Sequence, residues 1–133
     1  MPSPEPSTNV KKLYIEIDVL EAARRRIALV FDRFETIVVS ISGGKDSQVT
    51  FELAHAEALR RDRELHVFFL DQEAEYQASI DVVRMAMQRP NVVRHWYQVP
   101  ISMTNATSYS EGMLRAWEPG ETWIREKDPL ATH

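Results

Sequence analysis

The pattern of apolar residues predicts an α/β fold built on a parallel sheet of about three strands, and three observations carry that expectation. Three short runs rich in β-branched and aromatic residues, 36–41 (TIVVSI), 65–70 (LHVFFL) and 92–99 (VVRHWYQV), have the length of buried strands. The segments around them place their apolar residues at three- and four-residue steps, the period of a helix with one buried face. The first run opens directly into Gly43-Gly44, a break that separates a strand from the helix after it. Strands that alternate with helices pair in parallel through right-handed crossovers.

Taken in order, residues 17–34 read as a first helix, because Leu20, Ala23, Ile27, Val30, Phe31 and Phe34 keep helical spacing. Arg24, Arg25 and Arg26 lie mostly off that stripe and read as a solvated face. After the strand at 36–41, Val49, Leu53, Ala56 and Leu59 mark a second helix reaching about Arg61. Asp46 and Ser47 are residue types that satisfy free N–H groups at a helix start. The second strand ends at Asp71, and Ile80, Val83 and Met87 carry a third helix that stops before Arg89-Pro90. The third strand is stopped by Pro100, and from about residue 101 the sequence reads as irregular. The Pro/Ser-rich residues 1–12 read as a tail, which leaves one domain over 13–133.

Composition narrows the function. The 133 residues are 44% hydrophobic and 27% charged, the range of one globular domain. With 16 Lys and Arg against 20 Asp and Glu, the net charge of -4 argues against general nucleic-acid binding. Zero cysteines exclude a disulfide framework, a thiol nucleophile and any thiolate-held metal or cluster from this chain. His55, His66, His95 and His133 show no metal-ligand spacing and read as structural, so no metal site is expected. Trp96, Tyr97, Trp117 and Trp123 read as packing residues rather than a base-stacking platform. No apolar run is long enough to span a membrane and the first residues lack the marks of a signal peptide, so the expectation is a cytoplasmic protein.

The chemistry concentrates in Ser40-Ile41-Ser42-Gly43-Gly44-Lys45-Asp46-Ser47. A glycine turn between a buried strand and a helix brings backbone N–H groups close to a ligand, and the positive end of the helix dipole favours an anion there. Ser42, Ser47 and Lys45 add donors. The loop is not a Walker A sequence, since Val39 stands where a glycine is needed and Asp46 where Ser or Thr is needed. It is not the dinucleotide fingerprint either, for want of a third glycine.

The Ser-Gly-Gly-x-Asp-Ser pattern resembles the PP-loop, or N-type ATP pyrophosphatase, superfamily. From about Glu21 to Trp123, including VSISGGKDS, VFFLDQEAEYQ, the PISMTNA region, WEP and TWIRE, the chain is similar to the phosphoadenosine phosphosulfate (PAPS) reductase family. Its best match is a branch of PAPS-reductase-like proteins of bacteria and phages, some encoded beside a ParB-like protein. The resemblance implies a three-layer α/β/α, Rossmann-like fold of the adenine nucleotide alpha hydrolase type, here trimmed to about three core strands. It implies that Ser40, Ser42, Gly43, Gly44, Asp46 and Ser47 surround the phosphates or sulfate of ATP, PAPS or APS. Lys45 sits at the variable position and adds charge; Lys45 and Asp46 are the candidate catalytic pair. Asp71, Gln72 and Glu73 correspond to the second nucleotide-contacting segment. There a carboxylate is either a Mg²⁺ ligand through water or a ribose hydrogen-bond acceptor, and solvated loop acids are the plain alternative.

Two departures shape the expectation. The reductases attack with a cysteine near the C-terminus, and this chain has none. The family sheet has about five strands, so a protein partner or a second copy is expected at the uncovered edge of the first strand. Two functions follow: an enzyme that cleaves between the α- and β-phosphates of ATP or works in sulfonucleotide chemistry with an external thiol, or a catalytically silent nucleotide-binding module acting through a ParB-like or host protein.

Overall fold

The computed structural model describes Tyr14 and residues 16–133. Residues 1–12, read above as a tail, lie outside the described residues. The elements run α1 (Val19–Arg33), β1 (Val38–Ser40), α2 (Lys45–Arg60), β2 (Leu65–Leu70), α3 (Gln77–Met87), β3 (Val92–Tyr97), β4 (Ile101–Thr104) and β5 (Met113–Ala116).

β1, β2 and β3 form a parallel sheet in sequence order, with Val39 opposite Val67 and Phe69 opposite Trp96. Both crossovers therefore step in the same direction, and with their usual hand they place α2 and α3 on one face. That face is the core: Val39, Ile41, Leu65, Val67, Phe69 and Trp96 pack against Phe51, Ala58, Ile80, Val83 and Met87. Phe31 of α1 belongs to the same cluster. Of the three layers expected, the described residues supply one helical layer and the sheet. On the opposite face Val38 is 59% exposed and Leu70 38%.

α1 begins at Asp18, whose side chain accepts from Glu21 N–H at 2.7 Å, and is pinned at its other end by Arg63, which donates to the carbonyls of Phe31 and Phe34. These contacts fix the chain that leads into β1.

Residues beyond 100, expected to be irregular, contain an antiparallel hairpin in which Ile101 pairs with Ala116 and Thr104 with Met113. The chain then returns along the free side of β3: Thr132 and His133 N–H groups donate to Trp96 O, and Gln98 N–H donates to His133 O. The outer edge of β3 is thus occupied, whereas among the described residues β1 pairs only with β2.

Candidate functional site

The ladder between β1 and β2 carries one residue past β1, where Ile41 N–H donates to Phe68 O at 2.9 Å, and the chain then turns. Gly43 has φ +75, and a Cβ there would lie 2.7 Å from the Ser79 carbonyl and 2.8 Å from its Cα. The turn requires glycine at this position for both reasons. Gly44 is different: it is extended at φ -81 and forms the N-cap of α2 without a side-chain cap.

Asp46 and Ser47, expected to cap the helix, lie inside its first turn instead. Ser47 Oγ donates to Gly44 O at 2.9 Å and accepts from Ser42 N–H at 3.2 Å, while Ser42 Oγ stands 3.2 Å from Ser47 Oγ. Two serines thereby brace the turn from within. Lys45 and Asp46 form an ion pair at 3.0 Å with both side chains 91% exposed. The N–H groups of the first helical turn have no acceptor within the helix, and Lys45 and Asp46, which carry two of them, are exposed. Such a surface can hold an anion. Ser40 is also exposed, at the end of β1.

Asp71, Gln72 and Glu73 follow β2 at the same end of the sheet, and two of them are buried in a different network. Asp71 is fully buried; one carboxylate oxygen accepts from Trp96 Nε1 (2.9 Å) and Gln98 Nε2 (2.8 Å), the other from Glu73 N–H (2.9 Å) and the Arg125 guanidinium. Glu73 accepts from the N–H groups of Trp117 (2.6 Å) and Ile124 (2.7 Å). Gln72 is exposed. These acids are therefore not solvated loop residues: they tie residues 117–125 to the carboxyl end of β2.

Sequence spacing gave no sign of Gln98, Trp117, Arg125 or Ser79, because each meets its partner from tens of residues away. Glu75, half-buried next to this network, has its carboxyl raised above the ordinary range by burial first and by the Asp71 charge second. Residues 117–128 thus form a strap across the end of β2, and Asp128 closes it, accepting from Arg84 Nε at 2.7 Å while its N–H donates to Gln98 Oε1 at 2.8 Å.

Trp96 and Trp117 are buried, as packing residues would be. His66 Nδ1 and His95 Nε2 stand 2.7 Å apart on the face opposite the helices, and burial, then the His66 charge, lowers the His95 pKa. Among the described residues no three His, Cys, Asp or Glu side chains cluster as a metal would need.

Residues 36–127 match the model of the phosphoadenosine phosphosulfate reductase domain. The chain belongs to this family. The matched stretch takes in the glycine loop, the Asp71–Glu73 segment and most of the strap, so both clusters lie within the PAPS reductase domain. A relative, "Uncharacterized protein YbdN" of Escherichia coli (strain K12), is 29% identical over 121 residues, covering 89% of this chain. The chain spans about 30% of that relative's length. No solved structure matches. The small α/β fold with its three-stranded parallel sheet agrees with the Rossmann-like class and the three core strands that the sequence resemblance implied. Among the described residues no helix is long and apolar enough to cross a membrane.

Proposed function

We propose that this PAPS reductase domain binds an adenosine nucleotide, ATP or the sulfated PAPS or APS, with its phosphates or sulfate on residues 40–47. One observation carries the reading: Lys45 and Asp46 at the start of α2 are exposed, while the Gly43–Ser79 contact and the Ser42–Ser47 hydrogen bonds shape the turn before them. A preformed set of donors stabilises an anion without reorganising. Lys45 supplies the mobile positive charge, and Asp46 is the carboxylate placed to meet a cation brought in with the phosphates. Mg²⁺ suits such a site, since it is commonly held by one or two carboxylates together with phosphate oxygens and neutralises charge on a leaving pyrophosphate. Gln72 is free to meet the nucleotide, whereas Asp71 and Glu73 contribute by shaping the backbone beside it.

As an enzyme of this kind the domain cleaves between the α- and β-phosphates of ATP or passes a sulfonyl group to an external thiol, because its own chain offers no sulfur nucleophile. The second reading, a silent nucleotide-binding module, is favoured by the one-sided site. In open α/β sheets ligands sit where successive crossovers diverge to opposite sides, and here both step the same way. A second wall next to β1 then comes from a protein partner, a second copy or more of the same chain. A cytoplasmic setting accords with both readings.

Calorimetric titration with ATP, PAPS and APS, with and without Mg²⁺, tests the proposal on the wild type and Gly44→Asp. A micromolar response lost in the variant supports it; no response to any of the three overturns it. Release of AMP and pyrophosphate from ATP, abolished by Asp46→Ala, selects the enzyme over the module.

A further inference from the structure

A cleft of about 220 Å³ runs between α2 and α3, and Gly43 and Ser47 of the glycine loop line one end of it. Its floor is core surface, with Ile41, Phe51 and Ala86 each almost fully buried beneath it. Val82 and Met85 line the α3 side, and Met85 keeps 62% of its surface in solvent. The far end is closed by an ion pair in which Arg89 meets both Glu52 oxygens at 3.2 Å. Arg89 is backed by His55 Nδ1 at 3.4 Å, and that histidine's other nitrogen is engaged by Pro90 O at 2.8 Å. From Ser47 to Glu52 the helix rises roughly 8 Å. One end of the cleft therefore borders the loop proposed above to hold an anion, its body is mostly apolar with Gln48 as the polar side chain along it, and its length suits one or two fused rings.

We infer that the cleft receives a flat apolar group esterified to a phosphate or sulfate that rests on the loop: an aryl phosphate or aryl sulfate, a ligand class distinct from the adenosine nucleotides. The inference rests on the loop being an anion site. The physical argument is complementarity at both ends. The ring removes the Met85 and Val82 side chains and the apolar floor from water, the ester oxygens meet Lys45 and the first-turn N–H groups, and the Glu52–Arg89 pair limits how long the ring system can be. A concave, mostly apolar pocket with a few convergent polar groups at one end is the usual form of a small-molecule site.

Calorimetric titration of the full chain with 2-naphthyl phosphate and with inorganic phosphate tests the assignment, on the wild type, Met85→Glu and Gly44→Asp. Because Met85 is largely exposed, its replacement leaves the core intact, which a thermal melt of each variant checks. The expected result is that 2-naphthyl phosphate binds about tenfold tighter than inorganic phosphate, the gain given by modest ring burial. Met85→Glu removes that preference and leaves inorganic phosphate binding as it was; Gly44→Asp loses both ligands. Equal affinity of the two ligands for the wild type overturns the cleft assignment and leaves the loop reading standing, as does a preference that survives Met85→Glu. Binding of 2-naphthyl phosphate that survives Gly44→Asp overturns the continuity of cleft and loop. Failure of 2-naphthyl phosphate to bind a wild type that responds to ATP, PAPS or APS overturns the cleft assignment alone; failure of those nucleotides as well overturns the loop reading, and the cleft assignment falls with it.

Discussion

At the carboxyl end of β2 the chain directs its polar groups to one another, and at the carboxyl end of the neighbouring β1 it leaves them to solvent. Asp71 is buried with four donors on its carboxylate, whereas the Lys45 and Asp46 side chains are 91% exposed and meet only each other. The sheet edges differ in the same sense, since Thr132 and His133 occupy the far side of β3 and, among the described residues, β1 has no second neighbour. A buried carboxylate must be matched by donors for the protein to fold. Exposed N–H groups and an exposed ammonium carry no such penalty before a ligand arrives. Polar residues in similar positions, one strand apart, thus differ: one set is spent on holding the fold and the other stays exposed.

The sharpest way to break this contrast is Asp71→Ala. It leaves the Trp96 indole, the Gln98 amide, the Glu73 N–H and the Arg125 guanidinium without their shared acceptor, and the expected cost is about 3–5 kcal/mol. Urea unfolding measures it; a midpoint equal to that of the wild type would show that the network does not hold the strap. Next in size is Gly43→Ala, which combines a positive φ with a Cβ against the Ser79 backbone and is expected to lose about 1–3 kcal/mol. Gly44→Ala is the control, because its φ is -81 and its Cβ would meet only Ser42 Oγ at 3.4 Å; its cost stays within about 1 kcal/mol. Equal losses from the two would show that the turn does not depend on Gly43 in particular.

A smaller effect is expected from pH. The folded-state pKa of His95 lies below its ordinary value of 6.5, mainly through burial, so protonation favours the unfolded chain. Its share of stability is complete above that ordinary value and is lost as pH falls through it toward the lowered pKa. His95→Gln should flatten the slope of unfolding free energy against pH in this window, and an unaltered slope would count against the assignment. Smallest for stability is Lys45→Ala. The exposed pair it breaks is worth within about 0.5 kcal/mol, so urea midpoints should barely move while pyrophosphate affinity falls about tenfold. A large stability loss would mean that the loop, too, belongs to the scaffold.

The features that sequence made legible are the local ones. β2 matches its expected bounds because LHVFFL is an unbroken apolar run, and the three helices appear within a few residues of their expected limits because each has a clear periodic face. The glycine loop was visible because all its parts lie within eight residues. Its internal assignment was less so: Asp46 and Ser47 have cap chemistry, but the extended residue before the helix is Gly44, and only Gly43 of the two glycines has a positive φ. The hairpin escaped notice because ISMT and MLRA are four residues each and show no strong alternation. The Asp71 network was hidden for another reason. Trp96, Gln98, Trp117 and Arg125 reach it from 25 to 54 residues away, and no local pattern records a contact of that range.

That range also orders assembly. β1 meets β2, and β2 meets β3, at separations of 27 to 28 residues, while the strap reaches Asp71 across 54. Loop-closure entropy rises with separation, and contacts between distant residues tend to form late. A chain that has closed the shorter loops of the sheet therefore still holds a carboxylate without its guanidinium until the longer loop closes. The longest of these loops is the one that completes the buried network around Asp71.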